Sequence, residues 1–233
     1  MRETGDLKSA QQASRQRLYP RIFNPNWMVM RRRREIFRTW LNTADFENAR
    51  VLDVGGRLQP YRELLRFAHR YCSVDLRYTA LVSIIARAEQ LPFANGSFDL
   101  VLCTQMLEYA TDPALVVREI HRVLRPRGVL FLSAPSIFPQ ESEQDRWRFF
   151  PAGLRQLLAG FAECEVVPEG GSGAGFLRTL AVFLHMSARF QGLRLVLSYS
   201  VVPLINVLAL ALESVVGNIA GPFTVNYSVR AVK

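Results

Sequence analysis

The sequence predicts an α/β protein with a doubly wound, mostly parallel sheet of about seven strands. Short apolar segments recur along its middle, each unbroken enough to be buried on both faces, as strands of a parallel sheet are. Segments with helical periodicity lie between them, and this alternation is typical of parallel sheets. With 233 residues, of which 49% are hydrophobic, the chain is long enough to bury one full core.

An amphipathic helix is predicted ahead of the sheet, because apolar residues recur every three or four positions from 27 to 41. Four consecutive arginines at 31–34 lie inside this helix and spread around its whole circumference. We expect them to form a solvated face, with attraction to a membrane surface as the alternative. Residues 1–49 are interpreted as a basic helical extension.

Residues 50–170 are predicted to form the core. Helices are expected at 113–124, from its apolar stripe, and at 151–158, where proline suits the first helical position. The pair Asn95-Gly96 predicts a tight turn before the fourth strand. The predicted core strands are 51–54, 71–74, 81–86, 99–103, 129–133 and 163–167.

An apolar helical insertion is predicted at 171–222, before a last core strand within 223–233. Its segment 195–212 has eighteen residues without a formal charge, which reaches the length of a transmembrane helix. Three interpretations stay open: a buried or dimer-forming hairpin, a helix at a membrane interface, and a membrane span. A span would put the last strand across the membrane from the sheet that it is expected to join.

The net charge of +9 and the pI of about 10.1 favour anionic partners such as a nucleic acid, a phosphorylated carrier or an acidic membrane surface. Eleven basic and five acidic residues fall within 1–50, so two thirds of the net charge precedes the predicted core. Arginine supplies 27 of the 29 basic residues, a bias that genome composition also produces. Charge alone therefore selects no partner.

The cysteines Cys72, Cys103 and Cys164 are odd in number, widely spaced and without a Cys-x-x-Cys pair. Neither a disulfide framework nor a zinc site is indicated, and we predict no metal site. The first twenty residues are polar and lack the apolar centre of a signal peptide, so a cytoplasmic protein is expected.

The strongest single motif is the segment 51–56, an apolar strand that carries Asp53 and ends in Gly55 and Gly56. Glycine at such a turn lets the backbone come close to a ligand, because no Cβ blocks the approach. Asp75 ends the next strand, 22 residues after Asp53, where nucleotide-binding folds place a carboxylate against ribose hydroxyls. Capping of the following helix is the alternative role for Asp75.

Together with further segments, these motifs resemble those of class I S-adenosylmethionine-dependent methyltransferases. Their order and spacing match over about residues 50 to 135, and the resemblance is to the small-molecule branch, including enzymes associated with cell-surface glycan synthesis. The further segments are Val74-Asp75-Leu76, Ala88-Glu89-Gln90-Leu91-Pro92-Phe93, Ser97-Phe98-Asp99-Leu100-Val101, Leu107-Glu108-Tyr109 and residues 118–128.

The resemblance implies a Rossmann-like fold and S-adenosyl-L-methionine as the cofactor. It implies that Glu108 and Tyr109 lie on the acceptor side, where a hydroxyl acceptor gains from a base that removes its proton. The implied cofactor-binding residues are Asp53, Gly55, Gly56, Asp75, Leu76, Ala88, Glu89, Gln105 and Met106.

Three positions depart from the family pattern. Arg57 stands where the second glycine of the turn is usual, and Arg87 stands where many relatives carry an acid near the adenine. Tyr109 replaces a frequent histidine, which removes the most obvious general base. These departures motivate an alternative, a degenerate methyltransferase fold that acts as a binding or scaffold protein without catalysis.

An aromatic and basic segment, Arg146-Trp147-Arg148, is similar to one in methyltransferases of glycan synthesis. The indole of Trp147 would stack on a sugar, and either arginine would engage a phosphate or carboxylate. Packing of the indole against the sheet, with solvated arginines, is the alternative.

The sequence therefore predicts a methyltransferase that acts on a hydroxyl of a small molecule or glycan, with a lipid-linked sugar as one such acceptor. We expect it in the cytoplasm, at the inner face of the membrane, with peripheral membrane contact and a homodimer through the insertion as further expectations. Nucleic acid is not the expected substrate, because no Asn-Pro-Pro-aromatic motif or Pro-Cys nucleophile occurs.

Overall fold

The computed structural model describes residues 2–43, 46–140, 142–217 and 219–233. Seven strands form one sheet in the order β3-β2-β1-β4-β5-β7-β6. β1 to β5 are parallel, and β7 runs antiparallel to both β5 and β6. The strands are β1 Arg50–Val54, β2 Arg70–Asp75, β3 Ile84–Ile85, β4 Phe98–Thr104, β5 Leu124–Pro135, β6 Glu163–Pro168 and β7 Asn226–Val232.

Helices flank this sheet on both faces, so the predicted doubly wound, Rossmann-like architecture is confirmed. Short 3₁₀ turns occupy Arg62–Leu65 and Leu107–Tyr109. The division of the chain into the four predicted segments stays a prediction. The helices are α1 Arg2–Leu18, α2 Trp27–Asn42, α3 Pro113–Val123, α4 Pro151–Leu157, α5 Ser172–Ser187 and α6 Gln191–Val216.

Two apolar clusters fill the space on either side of the sheet. Residues of α3 and α4 pack on one face, where Val116, Ile120 and Leu154 are fully buried. On the other face, the rings of Phe37 and Trp40 of α2 pack at a tilt against Phe131 of β5, with ring centroids 5.4 and 5.2 Å apart. The basic extension is therefore packed into the core through α2.

Two elements differ from the sequence prediction. The strand expected at 81–86 is reduced to Ile84–Ile85, because the Leu81 carbonyl accepts hydrogen bonds from the side chains of Ser73 and Gln59 instead of joining the sheet. Helix α1 was not predicted, since its sequence is polar on every side. It is held mainly at its end, where Leu18 is buried.

The arginines at 31–34 do not form a solvated face together, which corrects the expectation. Arg31 and Arg32 pair with Glu35, and Arg34 lies over the Tyr19 ring, 5.1 Å from its centroid. Arg33 points the other way, into the protein. The four side chains do spread around the helix, so one of them necessarily faces the core.

Arg33 forms a buried ion pair with Glu169, which follows β6, at 2.8 Å. Glu169 also accepts hydrogen bonds from the hydroxyls of Ser133 on β5, at 2.7 Å, and Ser228 on β7, at 2.5 Å. Burial by itself would lower the pKa of Arg33, but the neighbouring Glu169 carboxylate raises it above its ordinary value. The pair ties α2 to three adjacent strands.

Helices α5 and α6 form an antiparallel hairpin that leaves the sheet after β6 and returns to it at β7. The predicted apolar insertion is thus confirmed as a pair of helices. Among the described residues, α6 is the one helix that is long and apolar enough to cross a membrane. A single crossing would separate β6 from β7, which pair from Glu163 to Pro168, so this geometry excludes a single span.

Replacing Arg33 by Met should lower the free energy of unfolding by about 3–5 kcal/mol, because Glu169 would be left buried without its cation. Urea denaturation followed by circular dichroism measures the loss. Arg31→Met is the matched control on the same helix: it removes a half-buried pair with Glu35 and should cost less than about 1 kcal/mol. Equal losses in the two variants would show that the buried pair has no special role.

Candidate functional site

A cavity of about 790 Å³ opens where β1, β2 and β4 end. Parallel strands direct their carboxyl ends to one edge, and ligands of such sheets bind there. Of the residues predicted from the sequence, twelve line this cavity: Asp53, Gly55, Gly56, Asp75, Leu76, Ala88, Glu89, Gln105, Met106, Glu108, Tyr109 and Arg146.

The turn after β1 has room for glycine only. Gly55 has φ +76°, and a Cβ there would lie 2.4 Å from Cγ of Met106. A Cβ on Gly56 would lie 2.7 Å from Cγ of Asp53. Both glycine amides donate to the Val74 carbonyl, at 2.8 and 3.1 Å. The turn is thus fixed against β2 and keeps its backbone close to the cavity.

Asp53 lies beneath this turn and is almost fully buried. Its carboxylate accepts a 2.6 Å hydrogen bond from the hydroxyl of Tyr71. Burial raises the pKa of Asp53 to about 7, although the hydrogen bond from Tyr71 opposes the rise. Asp53 is therefore an acid whose charge depends on what occupies the cavity.

Asp75 and Leu76 form the rim at the end of β2. One oxygen of Asp75 accepts from the Arg77 amide at 2.8 Å, which orients the carboxylate toward the cavity edge. Leu76 is 60% exposed and presents an apolar surface beside Ala88. A carboxylate next to an apolar surface suits a ligand with hydroxyls on one part and a flat ring on another.

Glu89 braces the next part of the rim, just after β3. It accepts a hydrogen bond from the Thr111 amide at 3.0 Å and pairs with Arg87 at 3.5 Å. Arg87 also donates to the Thr111 hydroxyl. The side chain of Arg87 is thus held at the rim by Glu89 and Thr111, and both Arg87 and Arg57 line the cavity.

Gln105 and Met106 close the cavity beyond β4. Gln105 has φ +50°, and its side-chain amide donates to Asn226 at 3.1 Å and to Ser133 at 3.2 Å. Positive φ is uncommon for a residue other than glycine and is stabilised here by these contacts. They also place Met106 against Gly55.

Glu108 is the most unusual acid of the site. It is 4% exposed, and its Oε2 has no hydrogen-bond partner within the part of the chain that the structure describes. Burial raises the pKa of Glu108 to about 8 from an ordinary value of 4.5. Tyr109 is its partly exposed neighbour in the same 3₁₀ turn.

The three residues predicted to bind the acceptor do not all reach the cavity. Arg146 lines the cavity, and its guanidinium donates to the Tyr109 carbonyl at 3.2 Å. Trp147 donates from its indole to the Ala110 carbonyl at 2.9 Å, and Arg148 pairs with Asp145 at 2.5 Å. Neither Trp147 nor Arg148 is among the residues that line the cavity.

Sequence reasoning missed the other wall of the cavity. It is formed by residues of the extension, the hairpin and the last strand, which carry no motif that links them to the turn after β1. A buried polar residue in an apolar stretch, such as Asn226 in β7, was the only signal. The lining residues from these elements include Arg17, Asn26, Met30, Arg33, Arg178 and Asn226.

Acids and arginines both line the cavity: Asp53 and Asp75 lie on the side of the turn together with Arg57, and the other wall is basic. Within the described ranges, no group of three or more His, Cys, Asp or Glu side chains is placed to hold a metal ion. The site could hold an elongated organic ligand against the acids, with a second molecule between Glu108 and the arginine-lined wall.

Comparison with known proteins gives a family match for the centre of the chain. Residues 52–132 match the family model described as a methyltransferase domain. A ubiquinone biosynthesis O-methyltransferase of Xanthomonas oryzae pv. oryzae is 35% identical over 111 residues, covering 38% of this chain and 44% of that protein. A protein of the same name from Pseudomonas paraeruginosa is 50% identical over 46 residues, covering 20% of this chain and 18% of that protein. The chain thus matches less than half the length of these curated relatives.

Solved structures share the fold at low sequence identity. The [4+2]-cyclase SpnF matches 89% of this chain and 82% of its own, with a TM-score of 0.58 and 17% identity. A phosphoethanolamine N-methyltransferase of Haemonchus contortus, solved with S-adenosylhomocysteine, covers 94% of this chain and 60% of its own, with a TM-score of 0.56 and 16% identity. A SAM-dependent methyltransferase from Archaeoglobus fulgidus has a TM-score of 0.51 and 15% identity, covering 85% of this chain and 94% of its own.

Replacing Gly55 by Ala should destabilise the protein by about 2–4 kcal/mol, because alanine resists positive φ and its Cβ would overlap Met106. Gly153→Ala is the control, since a Cβ at Gly153 meets nothing within 4 Å and helix α4 should gain up to about 1 kcal/mol. Urea denaturation measures both changes. A neutral Gly55→Ala variant would refute the tight turn.

Replacing Glu108 by Gln should stabilise the protein increasingly as the pH rises from 5 to 8. The folded state holds the Glu108 proton up to about pH 8, whereas the unfolded chain releases it near 4.5, so wild-type stability falls across this window. The variant has no carboxyl group at this position, so its free energy of unfolding does not fall in this way. The difference is on the order of a few kcal/mol. Thermal melting at several pH values measures the difference.

Glu119→Gln is the control for this pH series, because the hydrogen bond from Arg122 lowers the pKa of Glu119. Its effect on stability should stay constant between pH 5 and 8. If the melting temperatures of wild type and Glu108→Gln changed in parallel with pH, Glu108 would not be a buried acid.

The segment matched by the family model contains the glycine turn, Asp53, Asp75 and Glu108, all of which line one cavity at the carboxyl edge of a Rossmann-like sheet. Residues 52–132 are therefore similar to a methyltransferase domain, and the fold that holds them is shared with solved S-adenosylmethionine-dependent methyltransferases.

Proposed function

We propose that this protein transfers a methyl group from S-adenosylmethionine to a hydroxyl of a small-molecule or glycan acceptor. The proposal is supported by one observation: the glycine turn, Asp75 and the buried Glu108 all line one cavity within the matched segment. The curated relatives named as O-methyltransferases support a hydroxyl acceptor.

The residues of the turn and rim fit S-adenosylmethionine as the cofactor, which supplies an electrophilic methyl group on a positively charged sulfur. Asp75 would accept hydrogen bonds from the two ribose hydroxyls. Leu76 and Ala88 would cover the adenine, and the Gly55-Gly56 backbone would lie along the methionine part. Burial raises the pKa of Asp53 to about 7 and that of Glu108 to about 8, and a positive ligand in the cavity would favour the charged form of both acids.

We assign the role of general base to Glu108. A base works best when its pKa lies near the working pH, and burial brings the pKa of Glu108 to about 8. Its Oε2 has no hydrogen-bond partner among the described residues, so once Glu108 is ionised, increasingly as the pH approaches 8, this oxygen would accept a proton from an acceptor hydroxyl. Tyr109, beside it at the cavity wall, would orient the acceptor.

The acceptor side supports a ligand that carries negative charge, because Arg17 of α1 and Arg178 of α5 line it, whereas the charge of Arg33 is balanced by Glu169. A lipid-linked sugar remains the finer proposal, since α5 contributes Arg178 to the cavity while its other faces expose Phe176, Leu180 and Phe183. Arg146 is the residue of the predicted aromatic and basic segment that reaches this space. Trp147 and Arg148, which lie outside the cavity, would hold the segment around Arg146 in place.

The location is proposed as the cytoplasm, at the inner face of a membrane. Peripheral membrane contact and a homodimer through the hairpin are both compatible with the exposed apolar residues of α6.

The competing function is that of a binding or scaffold protein without catalysis. It is favoured by Arg57 at the cavity and by Arg87 in place of an acid near the adenine position. A protein named as a [4+2]-cyclase has a similar fold, so this fold is not confined to methyl transfer.

Calorimetric titration should give a dissociation constant for S-adenosylmethionine below about 1 mM, the upper end of ordinary KM values. Asp75→Asn should weaken binding by roughly 10- to 100-fold, because it removes the charge from the ribose hydrogen bonds. Glu163→Gln, an exposed acid on β6, is the control and should bind like wild type. Absence of binding at millimolar ligand would contradict the proposal.

Incubation of the protein with methyl-labelled S-adenosylmethionine and a cell extract tests catalysis directly. Label should appear in a small-molecule or glycan fraction, and Glu108→Gln should reduce its rate about 100-fold while leaving cofactor binding within a few fold. Binding without label transfer in any fraction would favour the scaffold function.

A further inference from the structure

The exposed surface of the α5–α6 hairpin is apolar over most of its circumference. One stripe of α6, formed by Val202, Ile205, Asn206 and Ala209, is buried against α5 and its surroundings. A helix that is apolar on all sides is normally enclosed by protein or lipid. The exposed apolar residues of α6 are Leu193, Leu195, Val196, Tyr199, Leu204, Val207, Leu208, Leu210, Val215 and Val216.

This surface is continuous with neighbouring elements. On α5, Phe176, Leu180 and Phe183 are exposed along one face. Phe23, which precedes α2, packs against Tyr199 with ring centroids 5.0 Å apart and is itself exposed. We call all these exposed residues of α5, α6 and Phe23 the apolar face. It exceeds the scattered apolar exposure that is normal for a soluble surface.

The charged residues of the hairpin up to residue 212 are all basic. From residue 170 to residue 212 the chain carries Arg178, Arg189 and Arg194 but no acid. Arg189 and Arg194 are exposed at the tip of the hairpin, beside Phe190. The next acid, Glu213, turns inward and accepts the Gly171 amide at 2.7 Å. A second copy would therefore bring like charges together, whereas anionic headgroups would complement them.

The lengths of the helices decide how the hairpin meets a bilayer. α6, with 26 residues, is about 39 Å long, but α5, with 16, is about 24 Å and too short to recross a hydrocarbon layer of about 30 Å. Since β6 and β7 pair in the sheet, both ends of the hairpin stay on one side. The Asn206 amide also fastens α6 to the carbonyls of Ile22 and Asn24, at 2.7 and 3.1 Å.

From these observations we infer that the hairpin is an in-plane anchor: the apolar face enters one leaflet of an anionic membrane, and Arg189 and Arg194 lie at the headgroups. Helices of this kind bind reversibly, through apolar area and charge together. The inference concerns attachment alone and holds whether or not the domain catalyses methyl transfer.

Sedimentation with preformed vesicles tests the anchor. Wild type should bind vesicles of mixed phosphatidylglycerol and phosphatidylcholine reversibly and bind pure phosphatidylcholine more weakly. Leu204→Gln/Leu208→Gln changes two side chains that are 70% and 56% exposed, and should weaken binding to both vesicles at least about 10-fold. Arg189→Gln/Arg194→Gln should weaken binding to the anionic vesicles by roughly 30-fold.

Arg118→Gln/Arg155→Gln removes the same charge from α3 and α4, on the sheet face opposite α2, and should change binding less than about threefold. Titration with S-adenosylmethionine and thermal melting show whether each variant is folded. Vesicle binding that neither hairpin variant weakens would overturn the inference. Absence of vesicle binding would overturn it as well. In that case, a dimer in light scattering that Leu204→Gln/Leu208→Gln dissociates would show that a second copy of the chain covers the apolar face.

Discussion

The buried ion pair between Arg33 and Glu169 is the contact on which the arrangement of the whole domain depends. It joins a helix of the extension to the end of β6, and Glu169 is held in turn by hydroxyls of β5 and β7. A buried carboxylate is tolerated only when its oxygens are satisfied, so these elements must assemble together. Through Ser133, the same hydrogen-bond network reaches Asn226 and Gln105, at the wall of the cavity. The basic extension is thereby a structural part of the site.

The cavity itself is built from two walls with different origins. One wall follows from the Rossmann-like sheet, whose strand ends bring Asp53 and Asp75 next to the glycine turn, with Arg57 on the same side. The opposite wall is assembled from α1, α2, α5 and β7, and it carries arginines. Glu108 lies between them, buried and with a raised pKa. A cationic cofactor on one side and an anionic acceptor on the other would each meet the charge that suits it.

The hairpin gives this domain a second surface with its own chemistry. Its inner stripe packs against the protein, and its outer surface is apolar with arginines at the tip. Helix α5 contributes to both the cavity and the outer surface of the hairpin, because Arg178 lines the cavity and Phe183 is exposed on that surface. Attachment to a membrane would therefore bring a lipid-borne acceptor near the arginine-lined wall. The flanks of the domain, more than its centre, carry what is particular to this protein.

The amino-acid sequence by itself determined the sheet, the glycine turn, Asp75 and the apolar insertion, because these depend on local periodicity and on motifs of fixed spacing. It could not give the short β3, whose Leu81 carbonyl bonds to side chains instead of a strand, or the inward turn of Arg33. Nor did it give the arginine-lined wall, or the positions of Trp147 and Arg148 outside the cavity. Those features arise from side-chain contacts, such as Leu81 with Gln59 and Arg33 with Glu169, and from burial. Only the tertiary structure decided them, because a residue's charge state and direction depend on neighbours that the sequence does not place beside it.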